Sequence, residues 1–85
     1  MTNDMQQKND YEMGQQPLEA ILQEMGLSNT DLVKASEDGL THKMVRKGRR
    51  GRRLTRNVQM KILNALNKLS GEERQFKLRD LFNYR

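Results

Sequence analysis

Residues 26–51 read GLSNTDLVKASEDGLTHKMVRKGRRG, and the fold turns on how this stretch divides. Ser28 followed three residues later by Asp31 has the form of a short capping box, so a helix opens there with an acid in its first turn. Leu32, Val33, Ala35 and Ser36 give that helix an inward face made partly of small side chains, which lets a second helix come close. Glu37, Asp38 and Gly39 break the period. Gly39 can take positive φ, and Leu40 can drop beneath the turn into a core. Thr41 then caps another helix whose apolar positions are only Met44 and Val45, which leaves Thr41, His42, Lys43, Arg46 and Lys47 facing outward. Gly48 and Gly51 punctuate the basic run, so this helix ends between them and the chain continues as a mobile basic loop at about 49–55.

Upstream, Pro17 suits the first position of a helix, and Leu18, Ile21, Leu22 and Met25 come after it on one stripe that ends at Gly26. Residues 1 to about 15 are polar and show no sustained period, which reads as a disordered tail; Met5, Tyr11 and Met13 are its only candidates for docking. Downstream, Thr55 caps a longer helix on which Val58, Ile62, Leu63, Ala65, Leu66 and Leu69 form a core-facing band. Ser70 and Glu73 have the spacing of one more capping box, and a last helix would carry Phe76, Leu78, Leu81 and Phe82. No run alternates with period two. The expectation is an all-α bundle over residues 16–85, with five helices at about 17–25, 29–37, 41–49, 56–69 and 71–83.

Charge separates this bundle from an ordinary one. The 85 residues carry a formal net charge of +5, yet no acid occurs between Asp38 and Glu72, and ten Lys or Arg lie in that window. The window is therefore +10, and the rest of the chain, with six cations against eleven acids, is −5. Lys43, Arg46, Lys47, Arg49, Arg50, Arg52, Arg53 and Arg56 fall within fourteen positions. Three or four cations would read as a solvated face. Eight without a compensating acid read as a site for a polyanion, which gains affinity through counterion release.

Other chemistry is thinly represented. With no Cys there are no disulfides, thiolate metal sites or cysteine nucleophiles, and His42 is the only His. No phosphate-cradling glycine motif or catalytic carboxylate pair is present, so neither an enzyme nor a cofactor is expected, and no metal. The start MTNDMQQKNDYEM lacks the pattern of a secretory signal, and no stretch reaches the roughly 20 apolar residues that span a bilayer. A cytoplasmic protein is expected, nucleoid-associated if bacterial.

Residues 26–51 also resemble the phage repressor and Cro type of helix-turn-helix domain, whose usual run is roughly G-L-S-Q-x-x-L-A-x-x-x-G-V-S-x-x-x-I-x-x-x-x-x-G. Gly26, Leu27, Ser28, Leu32, Leu40, Thr41, Val45 and Gly51 fall in matching places, and VQMKILNALN is similar to the family's next helix, so the likeness covers about residues 17–69. Three departures stand out. Asn29 replaces the common Gln, Glu37–Gly39 lengthens the turn by about two residues, and Gly48 stands where a large apolar residue is usual. The resemblance implies that helix 41–49 lies in the major groove of DNA.

The residues agree with that implication by a separate route. Thr41, His42, Lys43, Arg46 and Lys47 include donors suited to guanine edges or phosphate oxygens. Ser28 and Asn29 would hold a phosphate at a helix N-terminus. Arg49, Arg50, Arg52, Arg53 and Arg56 would follow the backbone or enter a narrow minor groove. Sequence-specific binding of double-stranded DNA by a bacterial or phage-type transcriptional regulator is the expectation, with a homodimer through Phe76, Leu78, Leu81 and Phe82 as its assembly. Two alternatives stand beside it: RNA binding by the arginine-rich segment 46–56, and a small interaction module that docks a partner through its last helix.

Overall fold

The computed structural model describes residues 15–72 and 74–84. The expected disordered tail and the docking of Met5, Tyr11 and Met13 lie outside the described residues. Five α-helices succeed one another: α1 (Pro17–Met25), α2 (Asn29–Ala35), α3 (His42–Arg49), α4 (Arg56–Ser70) and α5 (Leu78–Leu81). No strand occurs among the described residues, and the fold is all-α. None of these helices is long and apolar enough to cross a membrane.

Local signals set most of the boundaries. Ser28 Oγ accepts from the Asp31 N–H at 3.1 Å while the Asp31 carboxylate accepts from the Ser28 N–H at 2.8 Å. That reciprocal pair holds the Asp31 carboxyl below its usual range. Thr41 and Thr55 each cap the helix they precede, accepting from Met44 and Val58 N–H groups at 3.2 Å. α1 begins with Pro17 in its first turn and ends at Gly26.

α2 is shorter than expected, ending at Ala35 rather than 37. Ser36 leaves helical geometry at ψ 138, and its hydroxyl takes the backbone N–H groups of Asp38 and Leu40 at 3.3 and 3.1 Å. Ser36 thus organises the turn instead of facing the core, a local bonding pattern that competes with another helical turn. Gly39 sits at φ +86, where a side chain would be strained, and Leu40 beyond it is only 4% exposed.

The core joins every helix. Leu18 and Leu22 of α1, Leu32 of α2, Val45 of α3, Ile62 and Leu66 of α4 and Leu81 of α5 have no measurable exposure. Each removes a large apolar side chain from water, worth about 1.5–3 kcal/mol against leaving it exposed. α2 packs on α3 and α4, α1 on α3 and α5, and α5 also on α4. Leu69, expected on the core-facing band, is instead 40% exposed, lining a shallow surface hollow beside Asp31, Lys34 and Ala35 of α2.

The last helix departs most from the reading of the sequence. Ser70 ends α4 and its hydroxyl donates back to the Leu66 carbonyl, so it opens no new helix; Glu73 lies outside the described residues. Gly71 leaves α4 at φ 79 and ψ −171, a conformation essentially reserved for glycine. The described residues after it stay non-helical until Leu78. Asn67 accounts for this: its side chain accepts from the Phe76 N–H at 2.6 Å and donates to the Phe76 carbonyl at 3.0 Å, fixing an extended residue where a helix would have run. Phe76, Leu81 and Phe82 are all buried in the core of one chain. Of the residues read as a dimer or docking contact, only the half-buried Leu78 remains near the surface.

Candidate nucleic-acid interface

α3 carries the densest charge. Val45 and Gly48 face the core, whereas Lys43, Arg46 and Lys47 are exposed along the helix, with Arg50 immediately after it and His42 and Thr41 at its start. Lys43 and Lys47 are one turn apart, as are Arg46 and Arg50, so the four form a stripe roughly 10 Å long on α3 and its C-terminal cap. No acid lies in α3.

The acids of the preceding turn are drawn elsewhere. Glu37 pairs with Lys68, and Asp38 accepts from Asn64 at 3.4 Å, both partners lying on α4. The Ser36 hydroxyl, which donates to Asp38 at 2.8 Å, is the main reason the Asp38 carboxyl sits below its usual range. The turn that could have neutralised α3 is tied to α4.

Arg49 has a different role from its neighbours. Its Nε donates to Glu19 Oε1 at 2.5 Å, one terminal nitrogen to Glu19 Oε2 at 3.0 Å, and the other to Asn29 Oδ1 at 2.9 Å. The fork ties the end of α3 to α1 and to the start of α2, with side-chain exposures of 23% for Arg49 and 14% for Glu19. The same contact holds the Glu19 carboxyl below its usual value and raises that of Arg49. Arg49 therefore serves as an internal clamp, and Asn29 with it. Ser28 is likewise engaged, since the Asp31 carboxylate already fills the N-terminus of α2.

After α3 the chain does not wander. The Arg50 N–H donates to Arg46 O, the Gly51 N–H to Gly48 O and the Arg52 N–H to Lys47 O, at 3.0 to 3.2 Å. Leu54 is only 7% exposed and turns inward toward Gly48. A Cβ on Gly48 would lie 3.2 Å from methyls of both Ile62 and Leu54 and 3.4 Å from one of Leu18. The place where the resembled family keeps a large side chain is thus filled from three other directions. The expected basic loop is bonded back to the end of α3 and packs Leu54 into the core. Its cations remain outward, with Arg53 and Arg56 exposed and Arg52 half-buried.

These elements meet in a groove of about 310 Å³ lined by Lys43, Lys47 and Arg53, by Met44, Leu54 and Val58, and by the capping threonines Thr41 and Thr55. Two helix N-termini, α3 and α4, open beside it. Cationic side chains and an apolar wall share this one space, an arrangement whose complement is an anion with an apolar flank. No group of three or more His, Asp or Glu gathers among the described residues to hold a metal ion.

Tyr84 is a participant that the sequence does not announce. Its hydroxyl accepts from the Leu54 N–H and donates to the Arg52 carbonyl, both at 3.0 Å, and the Arg53 guanidinium lies 5.5 Å from the centre of its ring. Burial pushes its phenol above the usual range. Nothing near Tyr84 in the chain marks it as a partner of residues 52–54.

No family model matches the chain, and neither a curated protein nor a solved structure matches it.

Proposed function

We propose that the protein binds double-stranded DNA in a sequence-specific way as a bacterial or phage-type transcriptional regulator, with α3 in the major groove and the loop 50–55 along the phosphate backbone. One observation carries this reading: α3 projects Lys43, Arg46 and Lys47, with Arg50 at its C-terminal cap, from a capped, core-anchored helix without a single acid. An eight-residue helix is of a size the major groove admits, and arginine or lysine donors there suit the O6 and N7 atoms of guanine. Its resemblance to repressor-type helix-turn-helix domains adds support from the side of sequence. In this reading the protein is a binding protein and not an enzyme.

Selection from a random duplex library at physiological salt tests the proposal; enrichment of a defined sequence is expected, and a selected pool as mixed as the starting one would overturn it. Variants then separate readers from anchors. Lys43→Ala or Arg46→Ala is expected to change which sequence is preferred, each lost base contact being worth about 1–3 kcal/mol of discrimination. Neutralising Arg52 and Arg53 together is expected to weaken binding to all duplexes alike and to flatten its salt dependence.

RNA binding through residues 46–56 is the second reading. Against it stands the ordered state of the loop, since arginine-rich segments that take their shape from RNA are unfolded without it. Competition between a duplex DNA and a structured RNA for the same protein distinguishes the two.

A further inference from the structure

We infer that Tyr84 is a positioning residue for the basic loop: one hydroxyl bridging Arg52 and Leu54 holds the backbone in the shape that presents the loop arginines to a polyanion. This inference rests on the binding surface proposed above and adds to it a residue from the far end of the described chain.

The loop leaves helical bonding once the Arg52 N–H has reached back to Lys47 O. From there to the Thr55 cap side chains take up the Arg52 carbonyl and both backbone groups of Leu54, alongside a backbone bridge at Arg52. The Tyr84 hydroxyl takes the Leu54 N–H and gives its proton to the Arg52 carbonyl, so one oxygen spans both ends of a three-residue arc whose middle residue is Arg53. On the other side, Gln59 Nε2 donates to the Leu54 carbonyl at 2.9 Å. The ring that delivers this hydroxyl is seated on Phe82, itself 6% exposed, at 5.5 Å between centres and a tilt of 31°. Phe82 comes directly after α5, which packs on α1 and α4, so the core reaches the loop through an aromatic pair.

The consequence for binding is one of order. A loop that must be fixed when it meets a phosphate backbone loses conformational entropy at that moment, whereas a loop fixed in the free protein has lost it already on folding. The Arg53 guanidinium over the Tyr84 ring keeps one cation directed while its charge still faces outward.

Tyr84→Phe is the direct test, because it keeps the ring on Phe82 and under Arg53 and removes only the hydroxyl. Three measurements on the full chain decide it: thermal stability, amide exchange at Leu54, and affinity for a mixed-sequence duplex at moderate salt. The variant is expected to remain folded, to exchange the Leu54 N–H roughly tenfold faster, and to bind every duplex roughly three- to tenfold more weakly. In a background with Arg52→Gln and Arg53→Gln the same substitution should cost much less affinity, a coupling that a general loss of stability would not produce. An unchanged affinity, an unchanged exchange rate, equal losses in both backgrounds or a variant that no longer folds would each overturn the role assigned to Tyr84. Failure of the unsubstituted protein to bind any duplex would instead overturn the function on which the inference rests.

Discussion

Glu19 lies far from the basic run in sequence, yet it decides what one arginine in that run does. Its carboxylate and Arg49 are thirty residues apart and meet in a forked pair with only a small part of either side chain exposed. The guanidinium holds the folded-state pKa of Glu19 below the ordinary value of 4.5, so the pair contributes stability above that value and loses it as pH falls through the lowered one. Glu19→Gln should therefore cost about 1–3 kcal/mol near neutral pH, read by urea denaturation. Repeated in acid, the gap between variant and parent should narrow, because the parent has then lost what the variant never had. A gap that stays constant from neutral pH down to strong acid would show that the pairing is not what holds α1 to α3.

At the scale of elements, side chains that bond to backbone decide where helices stop. Asn67 does so across nine residues, clamping both backbone groups of Phe76. Asn67→Ala leaves those groups without their partner and should cost about 1–3 kcal/mol, with faster exchange confined to the segment between α4 and α5; protection there equal to that of the parent would contradict the clamp. The same contrast explains what is legible in the sequence. Caps at Ser28, Thr41 and Thr55 act over three residues, and a spacing of three is visible in a sequence. The outward face of α3 is legible for a similar reason, since Met44 and Val45 leave few choices for the rest. Ser70 carries the same local signal and yet ends a helix, because the pairing that competes with it comes from Asn67 and lies out of local range. Arg49 reads as a DNA contact and Tyr84 goes unmarked on the same ground: their partners stand 30 and 32 residues away, at distances where spacing says nothing.

At the scale of the whole molecule, the division of charge and the architecture of the core are one arrangement. Glu37 and Asp38 of the preceding turn are bound to α4, Glu19 is taken up by Arg49, and the buried faces of all five helices converge so that the cationic stripe is left on the outside. Little spare stability supports this. A domain of this size holds about 5–10 kcal/mol, and Leu66, with no exposure, sits at the centre of α4's buried face. Leu66→Ala should cost about 2–5 kcal/mol and lower the urea midpoint accordingly; a loss below about 1 kcal/mol would mean that the core is not centred there. Duplex binding should fall with the folded fraction and not before it.

The proposed binding surface is tested most directly by tracking backbone amide signals while mixed-sequence duplex is added at moderate ionic strength. Signals from residues 41–56 are expected to move first and furthest, with those on the opposite face of α4 nearly still. If residues 41–56 stay in place while DNA is added, or if the largest shifts fall on residues outside that segment, the cationic stripe of α3 is not where a polyanion binds.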